Sequence, residues 1–212
     1  MSKCKVFSVV LAGIVAVTLF TGRSAEADNQ QGLNNLLRGD YAVTGEAACL
    51  ASDEGFNADH TPKNTVAPFP FVRSFSVHGV IRFNGDGTAT RVVRVVSIRH
   101  PTGTTGVGSA SSVNVEADAT YQVAPDRSFT VQTTALNATV LTGPSAGQTF
   151  SITNFPEFVG RISQDHKTLT FAHYEPTIET QSYSDGDVFD RICHRSRTAI
   201  KLKIGDGTDH DD

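Results

Sequence analysis

Ser112-Val113-Asn114-Val115-Glu116-Ala117-Asp118-Ala119-Thr120-Tyr121-Gln122-Val123 decides how this chain is read. Every second residue, from Val113 to Val123, is apolar or aromatic, and the residues between them are polar or charged. That two-residue period belongs to a strand with one face on a core and the other in water. A helix would need apolar residues three and four apart, which this stretch lacks. Alternation of this kind favours an antiparallel sheet, whose two faces differ in solvation.

The same period extends in both directions. Upstream, Thr88 to Arg99 holds Arg91-Val92-Val93-Arg94-Val95-Val96, a three-residue spacing that suits neither strand face and predicts a bulge. Asn84-Gly85-Asp86-Gly87 before it reads as a hairpin turn, because Asn and Gly accept the positive φ of tight reversals. Phe71 to Phe83 then sets Phe71, Phe75, Val77, Ile81 and Phe83 against Ser74, Ser76, His78 and Arg82. A loop over Ala51 to Pro70 separates it from a first strand near Asp40 to Leu50, and Leu33, Leu36 and Leu37 suit one helical turn in a short extension over 28–38. Downstream, turn residues divide runs at Ser128 to Leu141, Gln148 to Asn154, Glu157 to Ser163, Thr168 to Tyr174, Thr177 to Tyr183 and Val188 to Ile204. The expectation is an all-β domain over 39–204, an antiparallel up-and-down meander of about 8 to 10 strands. Such a meander protects its edges best by closing into a lipocalin-like barrel, and a β-sandwich is the alternative.

The ends of the chain speak to compartment. Lys3 and Lys5 precede an apolar run from Val6 to Phe20, and Ala25-Glu26-Ala27 offers a small-residue cleavage site, so Met1 to Ala27 reads as a secretory signal peptide. The run is too short for the roughly 20 residues of a membrane-crossing helix. Cys4 lies before it, whereas a lipidated cysteine would follow. Cleavage would remove three of 18 basic and one of 22 acidic residues, leaving 15 against 21. A chain of that sign lacks the concentrated basic surface that nucleic acid or an anionic membrane requires. The expected localisation is secreted or periplasmic, with an acidic tail, Gly205 to Asp212, disordered beyond the domain. Two cysteines would survive cleavage, Cys49 and Cys193, and an even count in an oxidising compartment favours a disulfide over free thiols or metal ligands. Such a bond would tie the first strand to the last, which are neighbours in a closed barrel.

Leu37-Arg38-Gly39-Asp40-Tyr41 with Gly45 and Cys49, the hairpin Phe83-Asn84-Gly85-Asp86-Gly87-Thr88, and Arg191-Ile192-Cys193-His194-Arg195-Ser196-Arg197 together resemble a family of exported bacterial proteins of uncharacterised activity. The resemblance implies one exported β-domain. More distantly, the meander is similar in architecture to lipocalins and to allene oxide cyclase-like barrels, although tyrosine stands where lipocalins place tryptophan and the chain has no Trp. Architecture of this kind does not fix function.

Three side chains stand out as ligand-binding candidates. His173 shares a strand face with Leu169 and Phe171, so an inward imidazole is expected there, either as an acid or base or as a hydrogen-bonded core residue. Arg191, Arg195 and Arg197 fall on the face of Cys193, with Asp190 and His194 opposite. Three arginines on one face could take a carboxylate or phosphate, or could pair with Glu46, Glu116 or Asp118 on other strands. Tyr121 is the third candidate, as a polar group on an otherwise apolar face. Asp185-Gly186-Asp187 lacks the further oxygens of a calcium loop and reads as a turn. Gly143-Pro144-Ser145-Ala146-Gly147 matches the letters of G-x-S-x-G but reads as a turn between two strands, not the strand-to-helix elbow of a hydrolase, and there is no H-E-x-x-H, phosphate-binding glycine loop or CxxC pair, so no metal or cofactor is expected. The functional expectation is non-catalytic binding of a small apolar or amphipathic ligand inside the barrel. The alternatives are a cofactor-free cyclase- or isomerase-like enzyme using the same interior, and a surface interaction protein working through the loops Ala51 to Pro70 and Pro101 to Ser111.

Overall fold

The computed structural model describes residues 30, 32–63, 70–101 and 107–203. The expected signal segment, the acidic tail and the centres of both long loops lie outside the described residues. Ten antiparallel strands make up most of the described residues: β1 (Arg38–Ser52), β2 (Phe71–Asn84), β3 (Thr88–Arg99), β4 (Ser109–Val123), β5 (Ser128–Val140), β6 (Thr149–Thr153), β7 (Phe158–Ile162), β8 (Thr168–Ala172), β9 (Ile178–Tyr183) and β10 (Val188–Lys201). The strands from β1 to β6 follow one another across the sheet, and β1 also pairs with β10 from Tyr41 against Lys201 to Ser52 against Asp190. The sheet therefore returns on itself as a barrel-like ring of eight strands, and the up-and-down expectation holds. Cys49 and Cys193 face each other in the β1–β10 ladder and are joined by a disulfide.

Closure between β5 and β10 takes two routes. At one end of the ring, Ser128 to Val131 of β5 pair with β7, β7 with β8, and β8 with Ser196 to Ile200 of β10. At the other end, Ala138 and Thr139 pair with β6, β6 with β9, and β9 with Val188 to Ile192. The seam between the two routes is crossed by connecting segments. Phe155 packs there on the core, and its carbonyl accepts from the Gln132 amide at 2.9 Å.

The two ends of the interior are filled differently. At the β7–β8 end, Tyr41, Phe83 and Tyr121 form an edge-to-face series with centroids 5.5 and 5.0 Å apart, and Phe171 packs on Phe129 and Phe158. The N-terminal segment closes this end. Leu37 is buried, Asn34 accepts from the Val123 backbone N–H at 3.0 Å, and the Tyr121 hydroxyl donates to the Leu37 carbonyl at 2.8 Å. The opposite end, where β1 finishes and β10 starts, is the polar one and carries the site described below.

Two local expectations change. β3 pairs with β2 and β4 without any register shift, so the expected bulge at Arg91 to Val96 is absent. The strand is regular because it points Arg91, Val93 and Val95 inward and leaves Val92 and Val96 more than half exposed on the outer surface. The irregularity lies instead between β4 and β5, where Asp118 faces Ala135 but Ala119 faces Thr133, so Thr134 is an extra residue. Thr134 and Ala135 are consecutively exposed, as a bulge that keeps both Thr133 and Leu136 buried demands.

Candidate functional site

Strand alternation on β10 sends Phe189, Arg191, Cys193, Arg195, Arg197 and Ala199 inward, all buried. Three of the six are arginines. A guanidinium in the interior of a sheet is costly unless it is paired and hydrogen-bonded, and β9 supplies part of the pairing. Glu179 lies opposite Arg191 in the β9–β10 ladder and is wholly buried. Its carboxylate accepts from Arg191 Nε at 2.9 Å and from both terminal nitrogens of Arg195, Nη2 at 2.6 Å. Gln181, also wholly buried, accepts from Arg191 Nη1 at 2.7 Å through Oε1. The cross-strand partner expected from Glu46, Glu116 or Asp118 is therefore corrected to Glu179. Glu46, Glu116 and Asp118 sit on the outward face of their strands and are exposed.

Arg197 is seated differently. Its Nη1 donates to the carbonyls of Glu46 and Ser196, at 2.8 and 2.7 Å. The space it occupies exists because residue 45 is glycine: a Cβ there would stand 2.5 Å from Arg197 Cδ and 2.2 Å from the Ser196 carbonyl. Arg91 from β3 and Arg73 from β2 add two more guanidiniums to the same interior, and the Nε of each is buried without a hydrogen-bond partner. Arg73 rests instead against the Phe71 and Phe189 rings, at 5.7 and 5.2 Å.

These groups surround a cavity of about 100 Å³. The five arginines form its polar part, and Val77, Val93, Val113, Val115, Leu136 and Ile152 are among its apolar walls. Among the described residues no carboxylate lines it, since Glu179 is covered by its two arginines. At the open end an outer recess of about 330 Å³ shares Arg73 and Tyr183 with the cavity and adds Arg99, Asp53 and Asp187. Arg99 stacks on Phe71 there, 3.8 Å from the ring centroid.

The electrostatics follow from burial. Desolvation, then repulsion from Arg195, pulls Arg91 down to about 10 against a partial pull upward from Glu179. Arg191 is also lowered to about 10, by burial against the pull of Glu179, and Arg197 to about 9, by burial and then by Arg195 and Arg91. All three remain charged at neutral pH. Burial pushes the Glu179 carboxyl up, but Arg191 and Arg195 outweigh it and hold the group below the usual carboxylate range. Arg91, Arg191 and Arg197 thus sense their neighbours, and among the described residues Glu179 is the carboxylate bonded to the cations of the cavity.

His173 follows β8 directly and also lines the cavity. Its ring lies on Phe158 with centroids 4.0 Å apart, and both ring nitrogens are buried without a hydrogen-bond partner. The inward placement matches expectation. Burial, and then the charge of Arg195, lowers its pKa to about 4, so the imidazole is neutral at physiological pH.

Of the three sequence candidates, His173 and Arg191 come together in the cavity, whereas Tyr121 does not. The Tyr121 hydroxyl is committed to the closed end, where it also accepts from the Gly85 backbone N–H at 3.0 Å. Phe83, Phe129 and Phe171 pack in that closed end, while Phe75 and Phe150 line the cavity. Asp185-Gly186-Asp187 is a turn, with Asp185 accepting the Asp187 backbone N–H at 3.2 Å. Among the described residues no group of three His, Cys, Asp or Glu side chains is placed to hold a metal ion. Glu179, Gln181, Arg73 and Arg91 were missed by sequence reasoning. The available signal was Glu179-Thr180-Gln181-Ser182-Tyr183, where two polar side chains share a face with an aromatic one.

Comparison with family models, with curated proteins and with solved structures returns no match for this chain.

Proposed function

We propose that this is an exported, lipocalin-like binding protein that holds one small amphipathic molecule inside its ring of strands without transforming it. The carrying observation is the composition of the cavity, an apolar wall contributed by β2 to β6 beside arginines from β2, β3 and β10. Binding sites for small molecules combine a mainly apolar lining with a few convergent polar groups that orient the ligand. The interior narrows to a packed aromatic end, so a ligand approaching from the outer recess has one way in and one orientation. The disulfide is compatible with an oxidising compartment, and the apolar run with its cleavage site supports export.

The cavity of about 100 Å³ takes only part of a slender ligand and the adjoining recess of about 330 Å³ the rest, so eight-carbon amphiphiles are suitable probes. Isothermal titration of the folded protein with octanoate and with octanol is expected to show binding at one site per chain. Val115→Phe, which places a ring in the apolar part of the cavity, should abolish it while circular dichroism stays unchanged. Binding that survives in Val115→Phe would place the ligand elsewhere, and recovery of a chemically altered ligand would make the protein an enzyme.

A further inference from the structure

We propose that the ligand's polar end is an oxyanion, a carboxylate or a phosphate, and that Arg91, Arg73 and Arg197 are its docking cations. The inference rests on the binding reading above and deepens it by naming the head group. The first ground is charge. Arg73, Arg91, Arg191, Arg195 and Arg197 face one interior, and Glu179 is the one carboxylate bonded among them. Two of the five, Arg191 and Arg195, are accounted for by Glu179, which leaves three guanidiniums without an ion-pair partner among the described residues. In a chain whose formal net charge is −4, that concentration of unneutralised positive charge on the inside is not a consequence of overall composition.

The second ground is the set of unused donors. Gln181 spends its oxygen on Arg191 and leaves its amide nitrogen buried with nothing to donate to. Arg73 and Arg91 each leave Nε in the same condition. Buried donors without acceptors are rare in native proteins, and several around one cavity indicate an absent acceptor. A carboxylate or phosphate supplies acceptors only, and guanidinium forks match its geometry. A neutral hydroxyl would satisfy one donor and leave the charge uncompensated. A cationic ligand would add to the repulsion.

The third ground is placement. Arg99 and Arg73 stand at the outer recess beside Asp53 and Asp187, whereas Arg91 and Arg197 line the cavity with no carboxylate among its described lining, so the positive field is concentrated in the interior. The apolar walls lie beside the cations, leaving room for an aliphatic or aromatic tail.

The test is titration of the full folded protein, in buffer free of phosphate and low in chloride, with octanoate, octyl phosphate, octanol and octylamine. Octanoate or octyl phosphate should bind at least about tenfold more tightly than octanol, and octylamine should not bind. Which of the two anions is tighter separates a carboxylate ligand from a phosphate one. Arg91→Met should weaken the better anion about tenfold and leave octanol unchanged. Because that substitution removes an unpaired buried charge, its urea midpoint should match or exceed that of the wild type, which a merely structural Arg91 would not allow. Octanol binding as tightly as both anions would overturn the oxyanion assignment and leave the binding reading standing. Failure of all four probes would overturn both. A lowered midpoint in Arg91→Met with anion affinity intact would remove Arg91 from the site.

Discussion

His173 shows how a single buried side chain can report the state of the whole interior. Its ring is closed in by Phe158, repelled as a cation by Arg195 and Arg197, and favoured as one by Glu179 and weakly by the Cys193 backbone. Burial and the arginines win, giving a folded pKa of about 4 against an ordinary 6.5. The unfolded chain therefore takes up a proton between these values and the folded one does not. Stability from this group is complete above pH 6.5 and is lost as pH falls toward 4. From pH 7.5 to 5 the loss attributable to His173 is about 2 kcal/mol. Urea unfolding of the wild type and of His173→Phe at the two pH values checks it: the variant should lose less on acidification by that amount. Equal losses would mean that the imidazole is solvated. The sequence placed His173 on an inward face through its alternation with Leu169 and Phe171. It could not show that both nitrogens lack partners, because that depends on Phe158 and on segments distant in the chain.

At the scale of strands, alternation, turn chemistry and the closure of the first strand on the last through Cys49 and Cys193 were legible, and the split of β5 between β6 and β7 was not. Turns with an Asp are built alike: Asp86, Asp126 and Asp165 each accept the backbone N–H two residues on, at 2.8, 2.9 and 3.1 Å. Those reversals can be read directly from composition. The β3 reading failed because an arginine pointing inward looked like a broken period, when it was a regular strand with a charged residue on its inward face. For the same reason Glu179 was invisible: a strand with polar residues on both faces gives no sign of which side is inside. The β1–β10 pair carries the most specific dependence between elements. Arg197 lies over Gly45, and its guanidinium bonds to carbonyls on either side of that contact. Gly45→Ala would force a Cβ against backbone and against Arg197, so a cost of about 1 to 3 kcal/mol is expected from overpacking. Arg197 would also leave its seat, and anion affinity should fall in the same variant. Chemical denaturation together with octanoate titration reads both effects. A fully stable Gly45→Ala protein with unaltered binding would show that this seat is dispensable.

For the whole molecule, the question is what keeps the ring closed around a group of like charges. The five interior guanidiniums come from β2, its neighbour β3, and β10, so their repulsion acts across the closure that β1 and β10 make. The ladder from Tyr41–Lys201 to Ser52–Asp190 opposes it, and the disulfide sits within that ladder, beside the β10 arginines. Cys49 and Cys193 are 144 residues apart, so the bond ties nearly the whole domain into one loop. In the loop-entropy account a cross-link of that span destabilises the unfolded chain by about 5 kcal/mol, an upper figure when the unfolded chain keeps residual structure. Cys49→Ser with Cys193→Ser should therefore lower unfolding stability by roughly 2 to 5 kcal/mol. The folded ring should persist, because its ladder does not depend on the sulfurs. The loss should shrink when octanoate or octyl phosphate is present, since an anion in the cavity relieves the repulsion that the cross-link opposes, whereas binding to the folded form by itself stabilises both proteins alike and leaves the difference unchanged. Urea denaturation of oxidised wild type and double variant, with and without the amphiphile, separates these contributions. A ligand-independent loss would confine the disulfide's role to the unfolded chain, whereas a larger loss without ligand would join closure of the ring to neutralisation of its interior.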